Sequence, residues 1–129
     1  MNQKSNDLKE RLIRFSILVS DIVELLPGNR IGKYIADQLT RSGISPSFNY
    51  GEAQFAESAN DFIHKIKICL KELNEVHICL LFIGYKSLID NINIITQASG
   101  ECNELISIFV ATVETKRKNM QKDKQSLQS

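Results

Sequence analysis

Apolar residues recur every three or four positions along most of the chain, a spacing typical of α-helices. The first predicted helix begins at Asp7, whose side chain can cap it, and ends at Pro27-Gly28. Its apolar stripe consists of Leu8, Leu12, Phe15, Val19, Ile22 and Leu26. Because Val, Ile and Thr lie at helical intervals without the turn residues of hairpins, the pattern indicates no β-strand.

The second predicted helix begins after Asn29 and contains Pro46 within its pattern. Its apolar stripe consists of Ile31, Tyr34, Ile35, Leu39 and Ile44. A proline inside a helix lacks the amide donor, and its ring clashes with the preceding turn. We therefore expect a kink or a restart at Pro46, with helical structure continuing to about Ala53.

The third predicted helix begins at Ser58 and ends at Gly84-Tyr85, and the fourth begins at Ser87. Both serines are expected to act as N-caps. The fourth helix should turn these residues toward the core: Leu88, Ile92, Ile95, Cys102, Ile106, Phe109 and Val113. Four helices with short connections predict an all-α protein, an antiparallel up-down four-helix bundle with a proline kink in its second helix.

The chain is expected to form one bundle domain over residues 1–115, because 129 residues leave no room for a second core. Residues 116–129, hereafter the basic tail, are polar and are expected to be disordered. A hydrophobic fraction of 43% excludes a wholly disordered chain. The net charge of +1 gives the chain as a whole no attraction to nucleic acid or membranes.

Localisation is predicted from the cysteines and the apolar runs. Three cysteines without CxxC spacing favour a reducing compartment, so we expect a cytoplasmic protein. The longest apolar run, residues 78–83, is far shorter than the ~20 residues that span a bilayer. The polar start of the chain has no signal-peptide core, and we expect no membrane partner.

No catalytic, cofactor or metal site is predicted, and we expect a protein that is not an enzyme. His64 and His77 are thirteen residues apart, about 20 Å along one helix, so they cannot share a metal ion. The phosphate-cradling and nucleophile-elbow signatures are absent from the sequence. The cysteines are expected to pack in the core, and Lys65, Lys67 and Lys71 to form a solvated face.

The basic tail contains candidate contacts to nucleic acid, because clustered cations bind phosphates without sequence specificity. These candidates are Lys116, Arg117, Lys118, Lys122 and Lys124. The alternative is a tail that only increases solubility, since Asp123 interrupts the cations and no aromatic residue is interleaved.

A second candidate feature surrounds Pro46. Arg41, Ser45, Asn49 and Glu52 follow one another at i, i+4, i+8 and i+11, which places them along one side of a helix. This polar row is expected to form a structural network, inside the bundle or at an interface, by bonding to itself and to carbonyls that the proline leaves unpaired. A ligand site is the alternative.

The residues of the polar row also carry a family resemblance. Arg41-Ser42-Gly43, Ser45, Asn49-Tyr50 and Glu52-Ala53 match a motif of the bacterial four-helix bundle family related to the 23S ribosomal RNA intervening-sequence protein. A second motif of that family matches Asp61-Phe62, Lys65, Lys71-Glu72 and Glu75. The chain resembles this family over residues 12–115.

The resemblance implies an up-down bundle that assembles into a homopentamer and has no established enzymatic activity. One related branch comprises the accessory proteins of diversity-generating retroelements, which bind nucleic acid and a reverse transcriptase. It provides the alternative function, a nucleic-acid-binding accessory protein with RNA or a reverse transcriptase as partner.

Apolar residues in excess of one core face predict self-association independently of the resemblance, because monomers rarely expose large apolar patches. The excess residues of the first and fourth helices are Ile13, Ile17, Leu18, Val23, Leu25, Ile89, Ile94, Leu105, Ile108 and Val110. The spacing predicts only a homo-oligomer, and the number five comes from the resemblance.

Overall fold

The structure, a computed structural model, describes residues 3–128 and consists of four α-helices, with no β-strand in that range. The bounds of the helices are α1 Gln3–Leu25, α2 Arg30–Ala53, α3 Ala59–Lys86 and α4 Ile92–Gln128. Each helix packs against the next one in sequence, and α4 packs against α1. The predicted all-α four-helix bundle is confirmed.

Hydrogen bonds between α2 and α3 show the relative direction of these two helices. Ser42 of α2 bonds to Glu75 of α3. Asn49 lies later in α2, and it bonds to Glu72, which lies earlier in α3. Residue numbers therefore increase along α2 in the direction in which they decrease along α3, so these two helices run antiparallel.

The core lies along the axis of the bundle and is built from the predicted apolar stripes. Its largest fully buried side chains are Phe15, Phe109, Leu12, Ile22, Leu39, Ile66, Leu73, Leu80, Ile83, Leu105, Val19 and Val76. The rings of Tyr50 and Phe109 meet at a centroid distance of 5.7 Å. All three cysteines are buried, as expected. Each large apolar side chain removed from water contributes about 1.5–3 kcal/mol.

Four apolar residues differ from their predicted burial. Ile31, Tyr34 and Ile92, assigned to core stripes, are exposed on the surface. Leu105, assigned to the surplus, is completely buried. Helical spacing identifies a face only to within about one position, so residues at the edge of a stripe are the ones that spacing misplaces.

The predicted cap Ser58 is confirmed, and α2 begins after Asn29, as predicted, with Asn29 as its cap. The Asn29 side chain accepts a hydrogen bond from the Gly32 amide at 2.8 Å. The Ser58 hydroxyl accepts one from the Asp61 amide at 3.0 Å. Each cap satisfies an amide that has no acceptor within its own helix, and each fixes where a helix begins.

Two other predicted caps are wrong. Helix α1 begins at Gln3, and Asp7 lies inside it, accepting a hydrogen bond from the Gln3 side chain at 2.8 Å. Ser87 ends α3 in a left-handed conformation, with φ of 54°. Asn91 takes the capping position of α4, where its side chain accepts from the Ile94 amide at 3.3 Å.

Helix α2 continues through Pro46 to Ala53, so the expected restart does not occur. Neighbouring helices bring donors to carbonyls near the proline. The Ser16 hydroxyl of α1 donates to the Gly43 carbonyl at 2.9 Å, and the Cys69 thiol of α3 donates to the Pro46 carbonyl at 3.6 Å. Pro46 deprives the Ser42 carbonyl of its helical donor, so these contacts hold the adjacent backbone in place but do not replace the lost bond. The kink itself remains a prediction.

The basic tail differs from its predicted structure. Helix α4 runs to Gln128, well past the expected domain boundary, and residue 129 lies outside the described residues. The tail contains no Gly or Pro to end a helix and is rich in Lys and Gln, which favour one. Its Met120 packs against the core. None of the four helices is both long and apolar enough to cross a membrane.

Candidate functional site

The polar row lies on the side of α2 that faces α3, and Asn49 is the residue that most firmly joins the two helices. Its amide donates to the Glu72 carboxylate at 2.9 Å and to the Ser45 hydroxyl at 3.2 Å. Glu72 is only 9% exposed. A buried carboxylate requires hydrogen-bond donors, so Asn49 satisfies a group that would otherwise destabilise the interface.

Arg41 occupies the exposed edge of this network. Its guanidinium lies 3.9 Å from the Glu75 carboxylate, and its side chain is 61% exposed. The strong bond to Glu75 comes from Ser42, whose hydroxyl donates at 2.6 Å. Ser42 is completely buried. Arg41 is therefore a largely solvated member of the network, and the serine beside it makes the buried contact.

Glu52 ends the polar row in an ion pair with Lys65 of α3, at 2.9 Å. The hydrogen bond to Glu52 raises the pKa of Lys65. Lys65 therefore belongs to the contact between α2 and α3, whereas Lys67 and Lys71 are exposed as expected. The polar row bonds mainly across to Glu72, Glu75 and Lys65, and only Asn49 and Ser45 bond within it.

A second polar contact joins α1 to the other side of α2. The Ser16 hydroxyl bonds to the Gly43 carbonyl at 2.9 Å and lies 3.0 Å from the Ser47 hydroxyl. Beside it the helices approach so closely that a Cβ added to Gly43 would lie 2.5 Å from Val19 Cγ1. The segment around Pro46 therefore contacts both neighbouring helices, and its described contacts are those of a structural network.

The candidate nucleic-acid contacts divide into two groups in the structure. Lys116 is half-buried, with its ammonium 5.1 Å from the centre of the Phe62 ring, the geometry of a cation–π contact. The other four, which are exposed, are Arg117, Lys118, Lys122 and Lys124. Arg117 shares a shallow groove with His64 and Lys67 of α3, a juxtaposition that the sequence alone does not reveal.

The buried thiols of Cys69 and Cys102 are not activated as nucleophiles. Burial raises the pKa of both Cys69 and Cys102 to about 12, so both thiols are protonated at neutral pH. A nucleophilic cysteine requires the opposite shift. Within residues 3–128, no three His, Cys, Asp or Glu side chains are grouped so that they could hold a metal ion. His64 is exposed and His77 is half-buried.

An exposed apolar surface on α3 is the main feature that sequence reasoning missed. Four side chains at i, i+3, i+4 and i+7 point outward from the second half of the helix, with exposures from 40% to 86%. This α3 stripe consists of Ile78, Leu81, Phe82 and Tyr85. Apolar residues lie on more than one face of α3, and this excess over a single core stripe is the sequence signal that could have revealed the exposed surface.

Comparison with models of protein families finds no match to this chain, and neither does a search of curated proteins. Among solved structures, the chain is similar to a protein of unknown function from the S23 ribosomal protein family of Bacteroides thetaiotaomicron. The two are 25% identical, with a TM-score of 0.77 over 87% of this chain and 99% of the other. This likeness agrees, at a coarse level, with the family resemblance of the sequence.

Proposed function

We propose that this chain is a non-catalytic, self-associating four-helix bundle protein with a structural or interaction role. The α3 stripe is the observation that carries the proposal. Large contiguous apolar surfaces are uncommon on monomers and mark sites of association. Burying one of its large side chains would contribute about 1.5–3 kcal/mol. Several of them must be buried together to offset the cost of association.

The position of a second apolar surface supports a closed ring. Ile13 and Ile17 are half-exposed on α1, one helical turn apart. Within the described residues, α1 and α3 are not contacting neighbours, so these helices lie diagonally across the bundle. A head-to-tail interface joins two different surfaces of the same chain and closes into a ring when the rotation allows. The ring of five rests on the family resemblance.

A non-catalytic role in the cytoplasm completes the proposal. The thiols of Cys69 and Cys102 are protonated and buried, and the polar row is engaged in holding helices together. Three free cysteines suit a reducing compartment. The similar protein of known structure is itself described as having unknown function.

Light scattering behind size exclusion at micromolar concentration tests the self-association. We expect a mass near five times 14.6 kDa. Phe82→Asp should dissociate the assembly, because it places a charge inside the α3 stripe. Leu127→Asp is the matched control, since Leu127 is also exposed but lies at the far end of α4. A wild-type mass of one chain refutes self-association, and a stable dimer refutes the ring.

The second candidate function is binding to RNA as an accessory protein, with a reverse transcriptase as a second partner. The groove that brings His64, Lys67 and Arg117 together favours it, because two helices supply cations to one surface. A gel shift with structured RNA over a salt series is the test. Arg117→Gln should weaken binding and lower the salt dependence, and Arg30→Gln, at the start of α2, should not.

A further inference from the structure

A cleft of about 750 Å³ opens at one end of the bundle, between the start of α1 and the second half of α4. Its apolar lining comes from all four helices and includes Leu8, Tyr50, Phe62, Ile108 and Ala111. Its volume falls within the roughly 300–1,000 Å³ of typical small-molecule pockets. Two aromatic rings in the lining suit a flat or apolar ligand body.

Three cations border this cleft, and they differ in how they are paired. Arg11 is fully engaged, since its guanidinium bonds to the Glu101 carboxylate at 2.9 and 2.6 Å and also to Glu104. Lys4 and Lys116 have no carboxylate within 4.0 Å among residues 3–128. Among the described residues, Lys4 and Lys116 thus lie beside a partly apolar surface without a carboxylate partner, and the Lys116 ammonium lies over the Phe62 ring. Attraction to an anion is less weakened by water at such a surface.

We propose that this cleft binds a small organic monoanion with an aromatic or aliphatic body. The body packs on Leu8, Ile108 and Ala111, and the anionic group pairs with Lys4 and with Lys116, whose ammonium lies over the Phe62 ring. Asp7 also borders the cleft and disfavours a second negative charge on the ligand. Burial raises the pKa of the Tyr50 phenol, so this residue brings no negative charge to the floor of the cleft at neutral pH.

The inference is independent of self-association, because the α3 stripe contributes no residue to the cleft. A second copy of the chain is the competing occupant, and it would exclude small molecules from the cleft of the assembled protein. The full chain in its native assembly is therefore the right sample.

The probe is 8-anilinonaphthalene-1-sulfonate, which has an aromatic body and one negative charge and fluoresces when bound. We expect saturable binding of one molecule per chain. N-phenyl-1-naphthylamine, with a similar body and no charge, should bind more weakly. Lys116→Gln should weaken sulfonate binding roughly five- to tenfold, the effect of losing about 1–1.4 kcal/mol of charge attraction. Lys118→Gln, an exposed lysine outside the cleft, is the matched control.

Two further variants locate the bound probe. Ala111→Phe fills the cleft from the exposed side of α4 and should reduce binding of both probes without lowering the melting temperature. Phe82→Asp alters the α3 stripe and should leave one site per chain. Absence of binding, equal affinities for Lys116→Gln and Lys118→Gln, or loss of binding in Phe82→Asp would each overturn the proposal.

Discussion

Gly43→Ala is expected to destabilise the bundle, whereas the same substitution at Gly100 should stabilise it. A Cβ at position 43 would lie 2.5, 3.0 and 3.1 Å from three side-chain atoms of Val19. Val19 is 0% exposed, and its branched side chain has one strongly preferred rotamer in a helix, so it cannot move aside. Helices α1 and α2 would have to separate. At Gly100 a Cβ would meet nothing within 4 Å.

The magnitude follows from comparing the two variants. Replacing glycine by alanine inside a helix gains about 1 kcal/mol at either position. Overpacking a core contact costs about 1–3 kcal/mol, and only Gly43→Ala incurs it. The propensity gain cancels in the comparison, so Gly43→Ala should be about 1–3 kcal/mol less stable than Gly100→Ala. For a chain of this size, each 1 kcal/mol shifts the melting temperature by roughly 3–6 °C.

Urea unfolding followed by circular dichroism measures the difference, at one protein concentration because association also stabilises the folded chain. A double-mutant cycle identifies the contact: Val19→Ala should be less costly in the Gly43→Ala background, because it removes the atoms that clash. Equal stability of Gly43→Ala and Gly100→Ala would refute the close approach of α1 and α2, as would additive effects in the cycle.

Three further outcomes are expected. Asn49→Ala should cost about 1–3 kcal/mol in urea unfolding, because it leaves the buried Glu72 without its amide donor, and Arg41→Ala should cost only about 0–1; the opposite order would contradict the assigned network. Cys69 should resist iodoacetamide at pH 8 until urea unfolds the chain, and stability should fall as pH rises from the ordinary thiol pKa of 9.0 toward about 12, because the unfolded chain then binds fewer protons; rapid alkylation of the folded protein would show an accessible thiolate. Deleting residues 121–129 should leave the melting temperature unchanged, since residues 121–128 are exposed, and a loss of several degrees would reveal packing in this segment.

Local signals were sufficient for most of the fold. The caps Asn29 and Ser58 each act on an amide three residues away, so their roles are visible in a short stretch of sequence. Ser87 was misassigned because a serine can cap the start of a helix or end one in a left-handed conformation, and neighbouring residues do not decide between them. The helical tail was missed because helix propensity can extend a helix where no apolar stripe continues.

The sequence predicts that the residues of the polar row share one side of α2, but it does not predict their hydrogen-bond partners. Spacing along α2 places Arg41 and Asn49 on one side of the helix, whatever lies opposite. Their partners Glu72 and Glu75 lie on another helix, and the register between two helices is decided by packing of the whole bundle. The exposure of Arg41 depends on that same register, so the sequence could not distinguish it from the buried Ser42.

The contact between Arg11 and Glu101 has a consequence for how the chain folds and opens. It joins residues 90 positions apart, whereas the other helix pairs connect neighbours in sequence. Long closures cost more chain entropy than short ones, so we expect the α1–α2–α3–α4 neighbours to pair first and α1 to meet α4 last. The seam between the first and last helices is then also where the bundle opens first under denaturant, and hydrogen exchange should be fastest along it.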